Sequence, residues 1–517
     1  MSAHIDHSQK LSATGPKTDS FEQSLKLAFE MHNAGRVEEA EVLCRSLEQI
    51  SPKNSQLLFL LGMVLHKSHQ DEEAVKWLSL AAQYQPGSAR IFNGLGCAYQ
   101  GLEDHSRAAG AFVKSLELEP HTADTYYNLG KSCYRLDQVE YAAKLFRRAV
   151  ELNPGDSASW NNLGKCLKEL NRLSESIAAY YRALENKPDY ALARYGRAFS
   201  LLAAGRLLEG FREYEWRWHT ITPRKFPQPM WQGLPASGKT LFVHAEQGYG
   251  DAIMMARFIN AARERVGRVI LECRPNLKTL FQYSKCADTI IAYGEEIPPF
   301  DCYVPQFSLP RVLSITLENI PNHTPYLRAP TRQPLPAQPG QLKVGLAWAG
   351  NANHHQDAAR SMPFEKFAPI LEVPGVAFFS LQQPIPSRDE SYFQSMTGTI
   401  QSLPTFGSFL ETASVIAELD LIITVDTAVA HLAGALGKPV WLLVQHSPDW
   451  RWLLNRTDTP WYPTMQLFRQ VERNRWQLPV MHVAETLRRV ASSSISAEIL
   501  PGYSTSPLAQ NVTAAAA

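Results

Sequence analysis

The sequence predicts a helical solenoid followed by an α/β domain of two doubly wound lobes, and three observations carry that prediction. Pro52, Pro86, Pro120, Pro154 and Pro188 recur at a step of 34 residues, and Gly62, Gly96, Gly130 and Gly164 keep the same step, as do Ala40, Ala74, Ala108 and Ala142. A fixed period of this size marks stacked helical hairpins. From Lys239 the rhythm changes to short β-branched runs alternating with amphipathic segments, the pattern of parallel sheets covered by helices. The clearest instance is 419–444, LDLIITVDTAVAHLAGALGKPVWLLV, which reads as strand, tight turn, helix and strand.

In chain order, residues 1–19 are polar and without periodicity, so a disordered leader is expected. About six repeats fit between 20 and 222. Gly and Ala let the two helices of a repeat approach, Leu58, Phe92, Tyr126 and Trp160 fill the space between repeats, and each Pro ends a helix. The end repeats are degraded, with Leu27-Ala28 in place of Leu-Gly and Ala198 where Gly is expected. Residues 209–218, EGFREYEWRW, turn aromatic and charged, which suits docking on the next domain. The period, together with Trp160-Asn161-Asn162-Leu163-Gly164, resembles the tetratricopeptide repeat. Such a superhelix presents a concave face for a protein or peptide partner. Asn93, Asn128, Asn161 and Asn162 form either a ladder for an extended peptide or merely solvated and capping amides.

The α/β part opens with a strand at 241–245, the loop Glu246-Gln247-Gly248-Tyr249-Gly250-Asp251 and a helix over 252–265. Two glycines invite a dinucleotide reading, but the third glycine and the later acidic residue of that fingerprint are lacking. Strands at 269–273, 289–292 and 302–304 complete an N-terminal lobe over 239–327. Residues 328–341, RAPTRQPLPAQPGQ, form a proline-stiffened linker. The C-terminal lobe, 342–490, has strands at 343–348, 376–382, 421–425, 439–444 and 465–469, with helices at 409–419 and 480–490. A flexible tail over 491–517 follows. His354, His355 and Asp357 lack a third ligand at sensible spacing, so no metal is expected. Trp450, Trp452 and Trp461 favour packing over stacking on a ligand.

The turn at Asp426 brings the chemistry. A helix starting at Thr427 and Ala428 beyond a strand end offers unpaired N–H groups and a positive partial charge to a phosphate. Asp426 is placed to accept sugar hydroxyls or to serve as a cap, and His431 lies one turn on. The pattern D-T-A-x-A-H-x-A-x-A-x-G-x-P resembles the donor loop of the heptosyltransferase-like family 9 glycosyltransferases, which share the GT-B fold of two Rossmann-like lobes. The resemblance implies donor contacts for Asp426, Thr427, Ala428 and His431, with Ala428 standing where many relatives carry Gly. It implies a phosphate-binding role for Arg360, with Lys366 as the alternative, and a base or ribose contact for Gln382. Gln247-Gly248-Tyr249-Gly250-Asp251 resembles the first loop of the same family. That likeness places Gln247, Gly248 and Gly250 in an acceptor cleft and makes Asp251 the catalytic base, a role compatible with capping its helix.

The whole layout resembles a bacterial tetratricopeptide-repeat glycosyltransferase, similar in arrangement to O-linked N-acetylglucosamine transferases. The expected activity is transfer from a nucleotide-diphosphate-sugar, a substrate rather than a cofactor, by the metal-independent, inverting route that the family implies. The alternative is a non-catalytic scaffold with a degenerate GT-B domain. Lys plus Arg number 51 and Asp plus Glu 50, a net charge of +1 that gives no electrostatic reason for a nucleic-acid partner. The seven cysteines include no C-x-x-C pair, which favours reduced, buried thiols. With no apolar signal core and no transmembrane run, a soluble cytoplasmic protein is expected.

Overall fold

The computed structural model describes residues 16–353 and 357–492. His354, His355 and most of the expected leader and tail lie outside the described residues. The chain divides into two compact units, 1–193 and 194–517.

The first unit is a run of antiparallel helical hairpins. Pro16–Asn33 pairs with Val37–Ile50, Ser55–Lys67 with Asp71–Tyr84, Ala89–Gly101 with His105–Leu118, Ala123–Arg135 with Val139–Leu152, and Ser157–Glu169 with Leu173–Asn186. A sixth pair, Ala191–Ala203 and Leu207–Tyr214, contains the unit boundary in its first helix. The repeating glycines are explained by their partners. A Cβ on Gly96 would lie 2.5 Å from the Phe112 ring, and one on Gly130 would lie 2.8 Å from Phe146. Gly62 faces Leu78 and Gly164 faces Tyr180 in the same way. The bulky side chains that close each hairpin are therefore Leu78, Phe112, Phe146 and Tyr180, all buried. Of the residues expected between repeats, Leu58 is buried, and Phe92, Tyr126 and Trp160 are half-exposed, the last two packed against the repeat core. Each recurring proline follows the residue that caps the preceding helix, as Pro52 follows Ser51, because its ring excludes further helix. The inner turns also repeat, with Gly35, His69, Glu103, Asp137, Asn171 and Gly205 at φ 79°, 60°, 58°, 61°, 59° and 77°.

In the second unit, β1 (Ala236–His244), β2 (Val266–Cys273), β3 (Thr289–Ala292) and β4 (Cys302–Pro305) form a parallel sheet in the order β3-β2-β1-β4. β5 (Leu342–Ala347), β6 (Val376–Ser380), β7 (Ile400–Gln401), β8 (Leu421–Val425), β9 (Val440–Val444) and β10 (Met465–Arg469) form a second parallel sheet, ordered β10-β9-β8-β5-β6-β7. These are the two Rossmann-like lobes of a GT-B domain. The second sheet is fully doubly wound, and its core gathers Trp348, Phe364, Phe367, Phe378 and Trp441. β8 and β9 are buried along their whole length, as strands covered on both faces must be.

Several boundaries differ from expectation. The first helix begins at Pro16, inside the stretch read as leader. The helix expected over 252–265 begins at Tyr249 and tightens to a 3₁₀ turn at Ala256–Phe258 before Ile259–Arg263. The two-residue β7 carried no sequence signal. The segment 209–218 falls in the second unit, where Phe211 packs edge-on against Trp450 at 5.5 Å between ring centres.

Candidate donor and acceptor site

Both sheets reverse their winding beside one strand pair, β1/β4 in the first lobe and β5/β8 in the second. Ligands of open parallel sheets bind beyond the strand carboxyl ends at such points. The loops found there are those singled out by sequence: 245–251 after β1, the described residues 348–353 and 357–361 after β5, and Asp426-Thr427 after β8.

The first and last of these meet at Arg451, a residue to which the sequence reading gave no role. It lies in the short turn Trp450–Trp452, which Asp449 caps by accepting the Arg451 N–H at 3.0 Å. The Arg451 side chain is 9% exposed. Its Nη1 donates to Asp449 Oδ1 at 2.7 Å, its Nη2 to Asp251 Oδ1, and its Nε points to Met254 Sδ at 3.2 Å. Burial works against this charge, but Asp449, Asp251 and Asp426 outweigh it and hold the guanidinium protonated. Asp251 closes the first turn of helix Tyr249–Met255 by accepting the Gly248 N–H at 3.0 Å with its other oxygen. It thus serves as a cap and faces the second lobe at once.

Asp426 ends β8, and Thr427 is the N-cap of helix Ala428–Ala435 without a side-chain cap bond. The first amides of this helix are therefore not covered by the cap side chain. The Asp426 side chain is half-buried, beside Asp449, Trp452, Arg360 and Arg451. Burial first, and then the Asp449 charge, pushes its pKa up to about 6, against the pull of the Trp452 indole, Arg360 and Arg451. Arg360 is half-buried and held by Asp357 Oδ1 at 3.3 Å. Gly350 lets the guanidinium lie flat on the loop, since a Cβ there would stand 2.6 Å from Arg360 Nη2. Lys366 lines a different hollow with Glu472 and Trp476.

Three expected contacts take other roles. His431 is 4% exposed, shares a hydrogen bond with the Tyr462 hydroxyl at 2.9 Å and stacks on Trp452. Burial, then the Arg451, Arg257 and Arg360 charges, holds its pKa well below the usual value, so it is a neutral packing residue rather than a donor contact. Gly250 does not line open space. A Cβ there would lie 2.8 Å from His431 Cδ2 and 3.4 Å from Ala428 Cα, so this glycine brings the two lobes' helices together. Gln382 Oε1 accepts the N–H groups of Trp348 and Ala349 at 3.1 and 2.9 Å, and its Nε2 donates to the Pro384 carbonyl at 3.2 Å. Its amide is committed to holding two loops. It does border a hollow of about 430 Å³ with Ser380, Phe393 and Phe406. Gln247 is exposed at φ 67°, and Gly248 is the N-cap of the Asp251 helix.

Two further features escaped sequence reading. Arg257 crosses between lobes, donating to the Trp461 carbonyl at 2.6 Å and the Tyr326 hydroxyl at 3.2 Å. Ser380 Oγ and Gln470 Nε2 are buried with no hydrogen-bond partner, at the carboxyl ends of β6 and β10. Trp450, Trp452 and Trp461 are buried, as packing requires. All seven cysteines are free. Among the described residues no three His, Cys, Asp or Glu side chains gather to hold a metal, and no helix is long and apolar enough to cross a membrane.

The tetratricopeptide-repeat family model matches residues 93–157 and 137–191. The glycosyltransferase family 9 (heptosyltransferase) model matches 394–462, a span that holds Asp426, Thr427, Ala428, His431 and Arg451. Protein FlbA of Caulobacter vibrioides is 29% identical over 343 residues, 59% of this chain and 56% of its own length, so the chain spans little more than half of that relative. Among solved structures, YrrB, titled a TPR protein with an unusual peptide-binding site, aligns with 34% of this chain and 91% of its own at 21% identity and a TM-score of 0.31. MamA aligns with 32% of this chain and 96% of its own at 20% identity and a TM-score of 0.30. Likenesses of that size say nothing about function. The first unit thus carries repeats that match the tetratricopeptide model, and residues 394–462 of the second lobe are similar to family 9 glycosyltransferases.

Proposed function

We propose that the second unit transfers a sugar from a nucleotide-diphosphate donor to an acceptor hydroxyl, and that the repeats recruit a protein or peptide acceptor. The observation that carries this is the meeting of Asp251, from the first lobe's switch point, with the Asp426 turn of the second around Arg451. The diphosphate would lie at the uncapped start of helix Ala428–Ala435, where amide N–H groups and the helix dipole favour anions. Arg360 and Arg451 would offset the charge gathering on the departing diphosphate, a preorganised electrostatic role. The acceptor oxygen attacks the anomeric carbon as the bond to the diphosphate breaks, and Asp251 takes the hydroxyl proton, a contribution of about 10²–10⁴-fold for a general base. The nucleoside would occupy the hollow beside Ser380 and Phe406. No step calls on a metal or cofactor.

A second reading is favoured by one feature: both Asp251 oxygens are already engaged, as in a scaffold whose lobes are locked together. Thermal melting with UDP-, GDP- and ADP-sugars separates the two. A bound donor at 100 times its Kd adds about 2.7 kcal/mol, and the enzyme reading expects nucleotide release that Asp251→Asn lowers by about 10²–10⁴-fold, to a measurable residual rate, and that Asp426→Ala abolishes. Absence of any shift with all three donors selects the scaffold.

A further inference from the structure

The loop that carries Asp251 is held from outside its own sheet. Gln247 adopts a left-handed φ of 67°, a conformation that is strained for a non-glycine residue and persists only when its surroundings enforce it. Arg274 Nε donates to the Gln247 carbonyl at 2.8 Å, and the rest of the enforcement comes from Leu207–Tyr214 and the turn Glu215–His219. Tyr214, 3% exposed, receives the Gln247 Nε2–H on its hydroxyl at 2.6 Å. Glu246, one residue earlier, takes both Arg217 Nε and Nη2 at 3.0 Å, and a third bond from the Phe307 N–H at 2.7 Å. The Arg217 side chain is 1% exposed and also donates to Ser308 Oγ at 3.0 Å. A bidentate, sealed pair of this kind fixes both position and orientation.

The same helix reaches the other half of the Asp251–Arg451 pair. Phe211 stands three residues before Tyr214, on the same face, and packs against Trp450, the neighbour of Arg451. Tyr214 in turn lies against Phe307, whose ring sits under the Arg451 guanidinium. The helix thus touches neighbours of both members of the central ion pair, Gln247 on the Asp251 side and Trp450 and Phe307 on the Arg451 side.

We infer that Tyr214 and Arg217 are positioning residues for Asp251, fixing the Glu246–Gly250 loop so that the carboxylate meets Arg451 and the acceptor. This rests on the glycosyl-transfer reading for its catalytic part, since a displacement of about 1 Å at a reacting group costs roughly 10²-fold in rate. Tyr214→Phe removes one oxygen and leaves the ring in place, and Arg217→Lys keeps the charge while losing the bidentate grip.

Hydrogen exchange on the full-length chain reads the clamp directly. In Tyr214→Phe, amides 246–251 are expected to exchange at least tenfold faster, while those of 428–435 stay at the wild-type rate. Nucleotide release from UDP-, GDP- or ADP-sugar is expected to fall at least tenfold in kcat with the donor KM unchanged. In an Asp251→Asn background, Tyr214→Phe is expected to cause no further loss. Wild-type exchange at 246–251 in both variants overturns the inference, as does an additive loss in the Asp251→Asn background. If the exchange rises but wild-type protein releases no nucleotide, the clamp stands and the transfer reading is the one that fails.

Discussion

Replacing Asp426 by Asn separates folding from binding at one residue. Its carboxyl is raised from 3.8 to about 6, so the folded protein keeps a proton that the unfolded chain has released. Stability linked to this group is therefore highest below about pH 4, declines between about pH 4 and 6, and is flat above. Two pKa units at about 1.36 kcal/mol each put the cost near neutral pH at up to about 3 kcal/mol. Asn is neutral at every pH and similar in shape. Asp426→Asn is expected to stabilise the ligand-free protein by up to about 3 kcal/mol at pH 7.5 and by about zero at pH 4, while weakening donor binding. The buried Trp441, Trp450, Trp452 and Trp461 report the unfolding of this lobe by fluorescence in urea. A variant that is less stable than wild type at pH 7.5, or equally shifted at both pH values, refutes the reasoning. That result would mean the attraction to Arg360 and Arg451 outweighs burial.

Other perturbations follow from the same contacts. Arg451→Met leaves Asp251 and Asp449 without their shared cation, and the loss of one partner of a buried pair costs about 3–5 kcal/mol, measurable as a urea midpoint shift together with loss of donor-induced stabilisation. Gly250→Ala inserts a methyl 2.8 Å from His431, and overpacking of this kind costs about 1–3 kcal/mol, with the loss seen in the second unit's unfolding. Gly96→Ala meets the Phe112 ring at 2.5 Å and is expected to lower the repeat array's helical melting by a similar amount. Gly110→Ala, which meets nothing within 4 Å, is expected to leave that melting unchanged or raise it by up to about 1 kcal/mol.

What the sequence made legible was whatever repeats or stays local. The 34-residue period, the buried strand at 421–425 and the turn at Asp426 need no distant partner to be read. Long-range pairings were closed to it. Asp251 and Arg451 are separated by 200 positions, and nothing local marks Arg451 beyond an arginine between two tryptophans. The packing of His431 and Gly250 was closed to it for a related reason: each occupies the expected loop, but whether a residue meets solvent or the opposite lobe depends on how the helices approach. Gln382 looked free because backbone acceptors and donors are invisible in a string of letters. The hairpin-closing series Leu78, Phe112, Phe146 and Tyr180 was readable in principle, since it keeps the period of the glycines it covers, but its members differ in shape.

The left-handed residues between paired helices carry a consequence for how the array tolerates change. His69, Glu103, Asp137 and Asn171 hold a backbone geometry that Gly35 and Gly205 adopt without penalty, and a side chain there costs about 1 kcal/mol or less for Asn and Asp, more for others. The interior hairpins therefore work below their attainable stability, and glycine at position 69 or 103 is a ready source of extra robustness. The array thus holds a reserve of stability that single substitutions in its inner turns can release.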